Sequence, residues 1–223
     1  MNKDLEQAII TYSTKSHKNF SALLLGKSKD QLIALFSDLL TAYINDKNSS
    51  SIREFLLVSL AGYKHRTAKI GYNGFKQDTV LVGKTIECEA KPQNINTTDN
   101  ASRKAKRRLN GGGNFTDYTN ARFKKDRSNN LNILVGGFVD GELLYILSFP
   151  FKCKSFIASI SRQLKTRFPK GDAVNQYLRG AHFAFKDYRS CGDLKIVFLN
   201  KEGMRENKNN IGRDLFAYLS VAK

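Results

Sequence analysis

The stretch Asp78 to Lys91, Asp-Thr-Val-Leu-Val-Gly-Lys-Thr-Ile-Glu-Cys-Glu-Ala-Lys, constrains this chain more than any other. The runs Val80-Leu81-Val82 and Thr85-Ile86 favour strands, and a Gly-first pair such as Gly83-Lys84 joins strands in a tight hairpin. Counting outward from that turn pairs Val82 with Thr85, Val80 with Glu87, and Asp78 with Glu89. Side chains alternate across a strand, so Asp78, Glu87, Glu89 and Lys91 share one face. Leu81, Ile86, Cys88 and Ala90 take the other, which is apolar enough to be a core.

Carboxylates directly opposite one another lie about 5 Å apart at Cβ and repel. A hard divalent cation with oxygen ligands would offset that repulsion. Lys91 would then stand beside the cation, within reach of a water or a phosphate, which is an arrangement suited to phosphodiester cleavage. Alternating charged and apolar residues also describe any half-exposed hairpin. Asp opposite Glu is the part that a solvated hairpin has no use for.

Charge narrows the class of partner. Among 223 residues, 37 Lys+Arg stand against 20 Asp+Glu, a formal +17. Such a surplus points to a polyanion, nucleic acid before an anionic membrane surface. No apolar run approaches the ~20 residues that cross a bilayer, and the acidic start Asp4-Leu5-Glu6 lacks an apolar signal core. Cys88, Cys153 and Cys191 fit no zinc spacing and read as free thiols of a reducing compartment. The expected location is the cytoplasm, of a bacterial or phage-host cell.

The chain reads as one α/β (α+β) domain over 1–223, a mixed central β-sheet flanked by helices. Residues 1–62 form a helical N-terminal part. Leu5, Ile9 and Tyr12 make one stripe; Leu32, Leu35, Phe36, Leu39, Leu40 and Tyr43 make a second behind a Ser28 cap with Gln31 three residues on. Ile52, Phe55, Leu56 and Leu60 begin a third helix. These stripes suit core or dimer packing, and the third helix carries Glu54, which either reaches the cation as an accessory acid or lies on a solvated face.

Residues 68–150 are the expected catalytic sheet. Ala68 to Tyr72 reads as a first strand, Asn73-Gly74 as a turn, and Pro92 as the end of the acidic strand, since it cannot donate to a ladder. Residues 92–130 form a basic loop carrying Arg103, Lys104, Lys106, Arg107, Arg108, Arg122, Lys124, Lys125 and Arg127 against three acids. These cations would neutralise phosphates without reading sequence, while Asn94, Asn96, Asn114 and Asn120 are suited to base edges. A solvated loop is the alternative. Gly111-Gly112-Gly113 lacks the Gly-Lys-Ser/Thr of a nucleotide loop and would let backbone approach a ligand or fold around it. Asp140-Gly141 predicts a hairpin between Ile133–Val139 and Leu143–Leu147. Residues 151–223 supply an amphipathic helix over Ser155–Arg167, a late strand Leu194–Leu199 and a closing helix Ile211–Val221. His17, His65 and His182 form no ligand pair, and no serine-hydrolase, zinc-protease or dinucleotide motif is present.

Asp78 followed by Glu89-Ala90-Lys91 resembles the PD-(D/E)xK nuclease superfamily, the restriction-endonuclease fold. The short hairpin between the acids looks like that of small type II restriction enzymes of the PvuII kind. The resemblance covers about fourteen residues, and Gln77 stands where the motif has Pro. It implies that Asp78 and Glu89 bind Mg²⁺ with the Ala90 carbonyl, and that Lys91 orients or deprotonates the attacking water. Glu87 has no assured role and is a further accessory acid. Arg103, Lys104, Lys106, Arg107, Arg108, Asn114, Arg122, Lys124 and Lys125 become the DNA-binding set. Enzymes cutting both strands of a palindrome usually act as homodimers. The expected activity is a Mg²⁺-dependent, sequence-specific double-strand DNA endonuclease. Its rivals are a structure-selective nuclease, such as a junction resolvase or phage endonuclease, and a non-catalytic nucleic-acid-binding protein.

Overall fold

The computed structural model describes residues 3–45, 50–66, 71–77, 84–172 and 175–221. Four helices come first: α1 (Lys3–Thr14), α2 (His17–Leu25), α3 (Lys29–Asn45) and α4 (Ser50–Leu60). There follow β1 (Lys64–His65), β2 (Gly74–Gln77), β3 (Thr85–Ile95), α5 (Thr97–Ala101), β4 (Gly113–Tyr118), α6 (Asn120–Ser128), β5 (Leu131–Val139) and β6 (Glu142–Pro150). The chain closes with α7 (Lys154–Arg167), β7 (Leu178–Phe183), β8 (Lys195–Leu199), α8 (Lys201–Glu206) and α9 (Arg213–Ser220).

The fold is mixed α/β. Six strands form one sheet in the order β1-β2-β3-β5-β6-β8. Strands β3 and β5 run parallel, while the other neighbours are antiparallel. Strands β4 and β7 pair separately as a two-stranded ribbon. A parallel pair needs a crossover, and α5, β4 and α6 supply it between β3 and β5.

Alternation along β3 and β5 divides the core between two faces. Cys88, Ala90, Leu134 and Phe138 pack with Leu5, Ile9, Phe55 and Leu56 of α1 and α4. Ile133, Val135 and Val139 face the opposite layer, with Phe115 of β4, Phe156 and Ile160 of α7, and Leu215 and Leu219 of α9. Within that layer Phe149 stacks on Tyr188 at 4.1 Å, and Phe115, Phe151, Phe156 and Phe183 pack edge to edge around them. No described helix is long and apolar enough to cross a membrane.

Several local signals act as the sequence predicts. Gln31 N donates to Ser28 Oγ at 3.2 Å and Ser28 N donates to Gln31 Oε1 at 2.9 Å, a reciprocal capping box that starts α3. Asp140 and Gly141, with φ of 48° and 87°, turn β5 into β6. The α3 stripe divides, however. Leu35 and Leu39 pack against the core, whereas Leu32, Phe36, Leu40 and Tyr43 are exposed, because α3 lies at the periphery and only one narrow face meets α1.

Three expectations around the acidic strand are corrected. The ladder pairs Gly74 with Cys88 and Gln77 with Thr85, so the β2–β3 pairing ends at Cys88, short of Glu89. A two-residue turn at Gly83-Lys84 is incompatible with that register; the connection from Gln77 to Thr85 is longer, and Asp78 itself lies outside the described residues. Of the strand expected at Ala68–Tyr72, residues 68–70 are likewise outside; Gly71 and Tyr72 are not in a strand, and Gly74 opens β2 instead of making a turn. Finally, β3 does not stop at Pro92 but runs on to Ile95. Glu87 N donates toward β5, to Asn130 O, and Ala90 N donates to the other side, to Asn73 Oδ1. Alternation puts the missing amide of Pro92 on that same unpaired side, where a proline costs the ladder nothing.

Candidate active site

Strand β3 is central at its start and an edge at its end. Beyond Cys88 no β2 residue pairs with it, while β5 continues beside it to Ile95. The acids and the lysine occupy this transition. Glu87, Glu89 and Lys91 share the face that looks toward β4 and α6.

Glu89 is buried, with its side chain 8% exposed, and Lys91 Nζ lies 2.7 Å from its Oε1. The lysine stem is clasped from above. A Cβ at Gly113 would come within 2.7 Å of Lys91 Cβ, and Nζ lies 4.8 Å from the centroid of the Phe115 ring. Only glycine lets β4 approach this closely. Glu89 Oε2 is buried and has no hydrogen-bond partner. Buried carboxylate oxygens are seldom left so.

Arg122 stands beside the pair. Its Nη2 is 3.8 Å from Glu89 Oε1, its Nε is 3.8 Å from Asp126 Oδ2, and its Nη1 donates to Thr116 O at 3.3 Å. Its guanidinium also lies 5.3 Å from the Tyr118 ring centroid. Helix α6 presents Arg122 and Asp126 on one face because they are four residues apart. The helix is fixed at its start by Thr119, whose Oγ1 accepts from Arg122 N at 3.1 Å, and Lys125 and Arg127 suit its C-terminal dipole.

Asp126, 2% exposed, is the acid that spacing and periodicity do not single out. Tyr72 Oη donates to Oδ1 at 2.7 Å and Tyr118 Oη donates to Oδ2 at 2.6 Å. Burial raises the Asp126 pKa above the ordinary carboxylate range, opposed by the Tyr118 and Tyr72 hydrogen bonds and then by Arg122. Burial likewise raises both phenols, which stay protonated and donating. A lone acid four residues after an arginine in a basic helix is the signal the sequence offers.

The two accessory acids have different surroundings. Glu87 forms a two-pronged ion pair with Arg66, at 2.8 Å and 3.1 Å, and Arg66 stacks over Phe75, which is opposite Glu87 in the ladder. Glu54, on α4, accepts from Asn73 Nδ2 at 2.8 Å, and Asn73 Oδ1 accepts from Ala90 N at 2.8 Å. Glu54 is therefore joined through one asparagine to the backbone between Glu89 and Lys91.

A polar cleft of about 800 Å³ runs along the free edge of β3, between Arg53 on one side and Asn114 and His182 on the other. Arg103 and Arg107 line it, and Lys104, Lys106 and Arg108 are exposed nearby in sequence. Lys106 is partly committed, donating to the carbonyls of Asn100 and Ala101. Lys124 and Lys125 are exposed on α6, whereas Asn120 is tied to Asp172 at 2.6 Å. The triple glycine serves packing: the carbonyl of Gly111, at φ 64°, accepts the Tyr188 hydroxyl at 2.6 Å.

The structure thus brings Glu89, Lys91, Arg122 and Asp126 together and leaves Glu87 paired with Arg66. Among the described residues no three His, Cys, Asp or Glu side chains converge as a metal-binding group. No known family matches the chain by comparison with protein-family models, and no curated protein matches it.

Proposed function

We propose that this protein is a Mg²⁺-dependent DNA endonuclease of the PD-(D/E)xK type, with Glu89 and Lys91 in the active site. The observation that supports it best is the Glu89 carboxylate: one oxygen held by Lys91, the other buried and unpartnered, on the strand whose continuation from Pro92 to Asn96 lines a basic cleft. A hard oxygen without a donor is what a hard cation requires. Glu89 through Oε2 and the Ala90 carbonyl would hold the ion; the ladder, with Gln77 opposite Thr85, does not set Asp78 across from Glu89. When bound, it would supply Lewis acidity and a water of lowered pKa.

The chain's own groups do the rest. Lys91, held by Glu89 and by the contacts of its stem, keeps its ammonium where it orients the attacking water and faces a phosphate oxygen. Arg122, anchored on Asp126, Glu89 and Thr116, adds a second fixed positive charge for the pentavalent transition state. Arg103 and Arg107 bind backbone phosphates farther along the cleft. Sequence-specific cutting of both strands, by a homodimer, is the preferred form of the activity.

The test is cleavage of mixed plasmid and phage DNA with Mg²⁺ or with chelator, by the wild type and by Glu89→Gln, Lys91→Met and Arg122→Met. Discrete fragments that vanish with chelator and in each variant, while DNA is still retained on filters, are the expected result. A smear indicates unspecific cutting, and selective cutting of branched DNA indicates a structure-selective enzyme. Cleavage retained in any two variants, or none by the wild type, overturns the site.

A further inference from the structure

Six carboxamide side chains line the cleft beside β3: Gln93, Asn94, Asn96, Asn100, Asn110 and Asn114. Four have their oxygens engaged in building its walls. Gln93 Oε1 accepts from Asn110 N, Asn110 Oδ1 accepts from Gln93 Nε2, Asn96 Oδ1 caps α5 through Asp99 N, and Asn100 Oδ1 accepts from Arg107 N. The other two, Asn94 and Asn114, have buried Oδ1 atoms with no hydrogen-bond partner. They sit on opposite walls, Asn94 on β3 and Asn114 on β4.

An unpartnered acceptor is satisfied only by a donor. Phosphate oxygens are acceptors and deoxyribose carries no 2′-hydroxyl, so the backbone of DNA cannot serve here; Arg103 and Arg107 in the same cleft suit the phosphates. Base edges offer donors. In the major groove of a DNA duplex the donors are the adenine N6 and cytosine N4 amino groups. The A-form major groove of duplex RNA is too narrow for side chains. Asn94 lies three residues beyond Lys91, about 10 Å along the strand. Gly113, next to Asn114, abuts the Lys91 stem. The backbone positions of both residues therefore lie within about 10 Å of that of Lys91, although alternation turns the Asn94 side chain to the opposite face of β3.

We propose that Asn94 and Asn114 read exocyclic amino groups of adenine or cytosine in duplex DNA, next to the cut site. This rests on the nuclease reading for its position but on the two free oxygens for its chemistry. The Asn114 wall is shaped for the role. Asn114 pairs with His182 across the ribbon, and a Cβ at Gly180 would come 2.9 Å from Asn114 Oδ1 and 2.8 Å from His182 Nε2.

The experiment is selection of bound duplexes from a randomised DNA pool, with the cleavage-impaired Lys91→Met protein alone or carrying Asn94→Leu or Asn114→Leu. Melting temperatures are measured in parallel. The parent should enrich a motif with adenine or cytosine at defined positions. Each Leu variant should lose discrimination at one of them by about 5- to 150-fold, with other positions kept and melting unchanged or raised, because no protein hydrogen bond is removed. Asn114→Asp should turn an adenine preference toward cytosine, whose edge lacks the adjacent N7 acceptor. A motif untouched by both Leu variants overturns the proposal, as does a fall in melting temperature with specificity intact. Bound DNA without any motif overturns base readout yet leaves a nuclease standing. Failure to retain DNA at all overturns both.

Discussion

Replacing Tyr118 by Phe isolates the hydrogen bond that anchors the arginine of the site. Tyr118 is fully buried, and its hydroxyl donates at 2.6 Å to Asp126 Oδ2, itself in a residue 2% exposed. The other group near that oxygen is Arg122 Nε at 3.8 Å, too far to replace the bond. A hydrogen bond to a charged group contributes about 1.5–3 kcal/mol, and removing one partner leaves the buried oxygen unsatisfied. The expected loss at neutral pH is therefore about 2–3 kcal/mol. Tyr72→Phe should cost only about 1 kcal/mol, because Tyr72 is half-buried and water can take the place of its hydroxyl.

The effect must also depend on pH. The folded-state pKa of Asp126 lies above its ordinary 3.8, so the folded protein binds this proton more readily than the unfolded chain. This group's contribution to stability falls as pH rises from 3.8 through the raised value, then levels. The Tyr118 bond holds that value down, so without it the fall extends to higher pH, and the difference between wild type and variant widens over that interval. Urea unfolding at several pH values measures it. A difference below about 0.5 kcal/mol at neutral pH, or one independent of pH, would refute the account of Asp126 as the anchor of Arg122.

Two further outcomes follow from the geometry. Gly113→Ala, which sets a methyl against the Lys91 stem and 2.8 Å from Phe183 Cζ, should lower cleavage at least about tenfold while shifting stability by only about 1–3 kcal/mol; steady-state rates beside melting curves check it, and an unimpaired rate would show that the clasp on Lys91 is incidental. Neutralising Arg103, Lys104, Lys106, Arg107 and Arg108 together should weaken DNA binding and flatten the plot of log affinity against log salt by about 0.9 for each phosphate left without its cation; an unchanged slope removes the segment from the interface.

The parts of the fold legible in the sequence are those fixed by local rules. Asp140-Gly141 sets the β5–β6 hairpin because two left-handed residues twist as strands do. Phe156, Ile160 and Leu164 place α7 because its period matches one buried face. The register at β3 is not legible, because the Gly-Lys pair looks like a turn whether or not the ladder needs one there, and Gln77 opposite Thr85 is decided by packing beyond the hairpin. Asn73, which holds the Ala90 amide, reads as a turn residue for the same reason. Glu89 and Lys91 follow from alternation alone. Tyr72 and Asp126 meet across 54 residues of chain, a distance no short motif spans.

Because β3 is hydrogen-bonded on both sides up to Cys88 and on one side from Glu89 to Ile95, change is not equally tolerated along it. Of residues 93–96, Ile95 belongs to the apolar core and Gln93 and Asn96 hold the cleft wall, so Asn94 alone can be exchanged for another polar side chain with the ladder and the apolar layers left intact. A library confined to Asn94 and to the facing wall of the ribbon would vary what the groove accepts with the sheet beneath it unchanged.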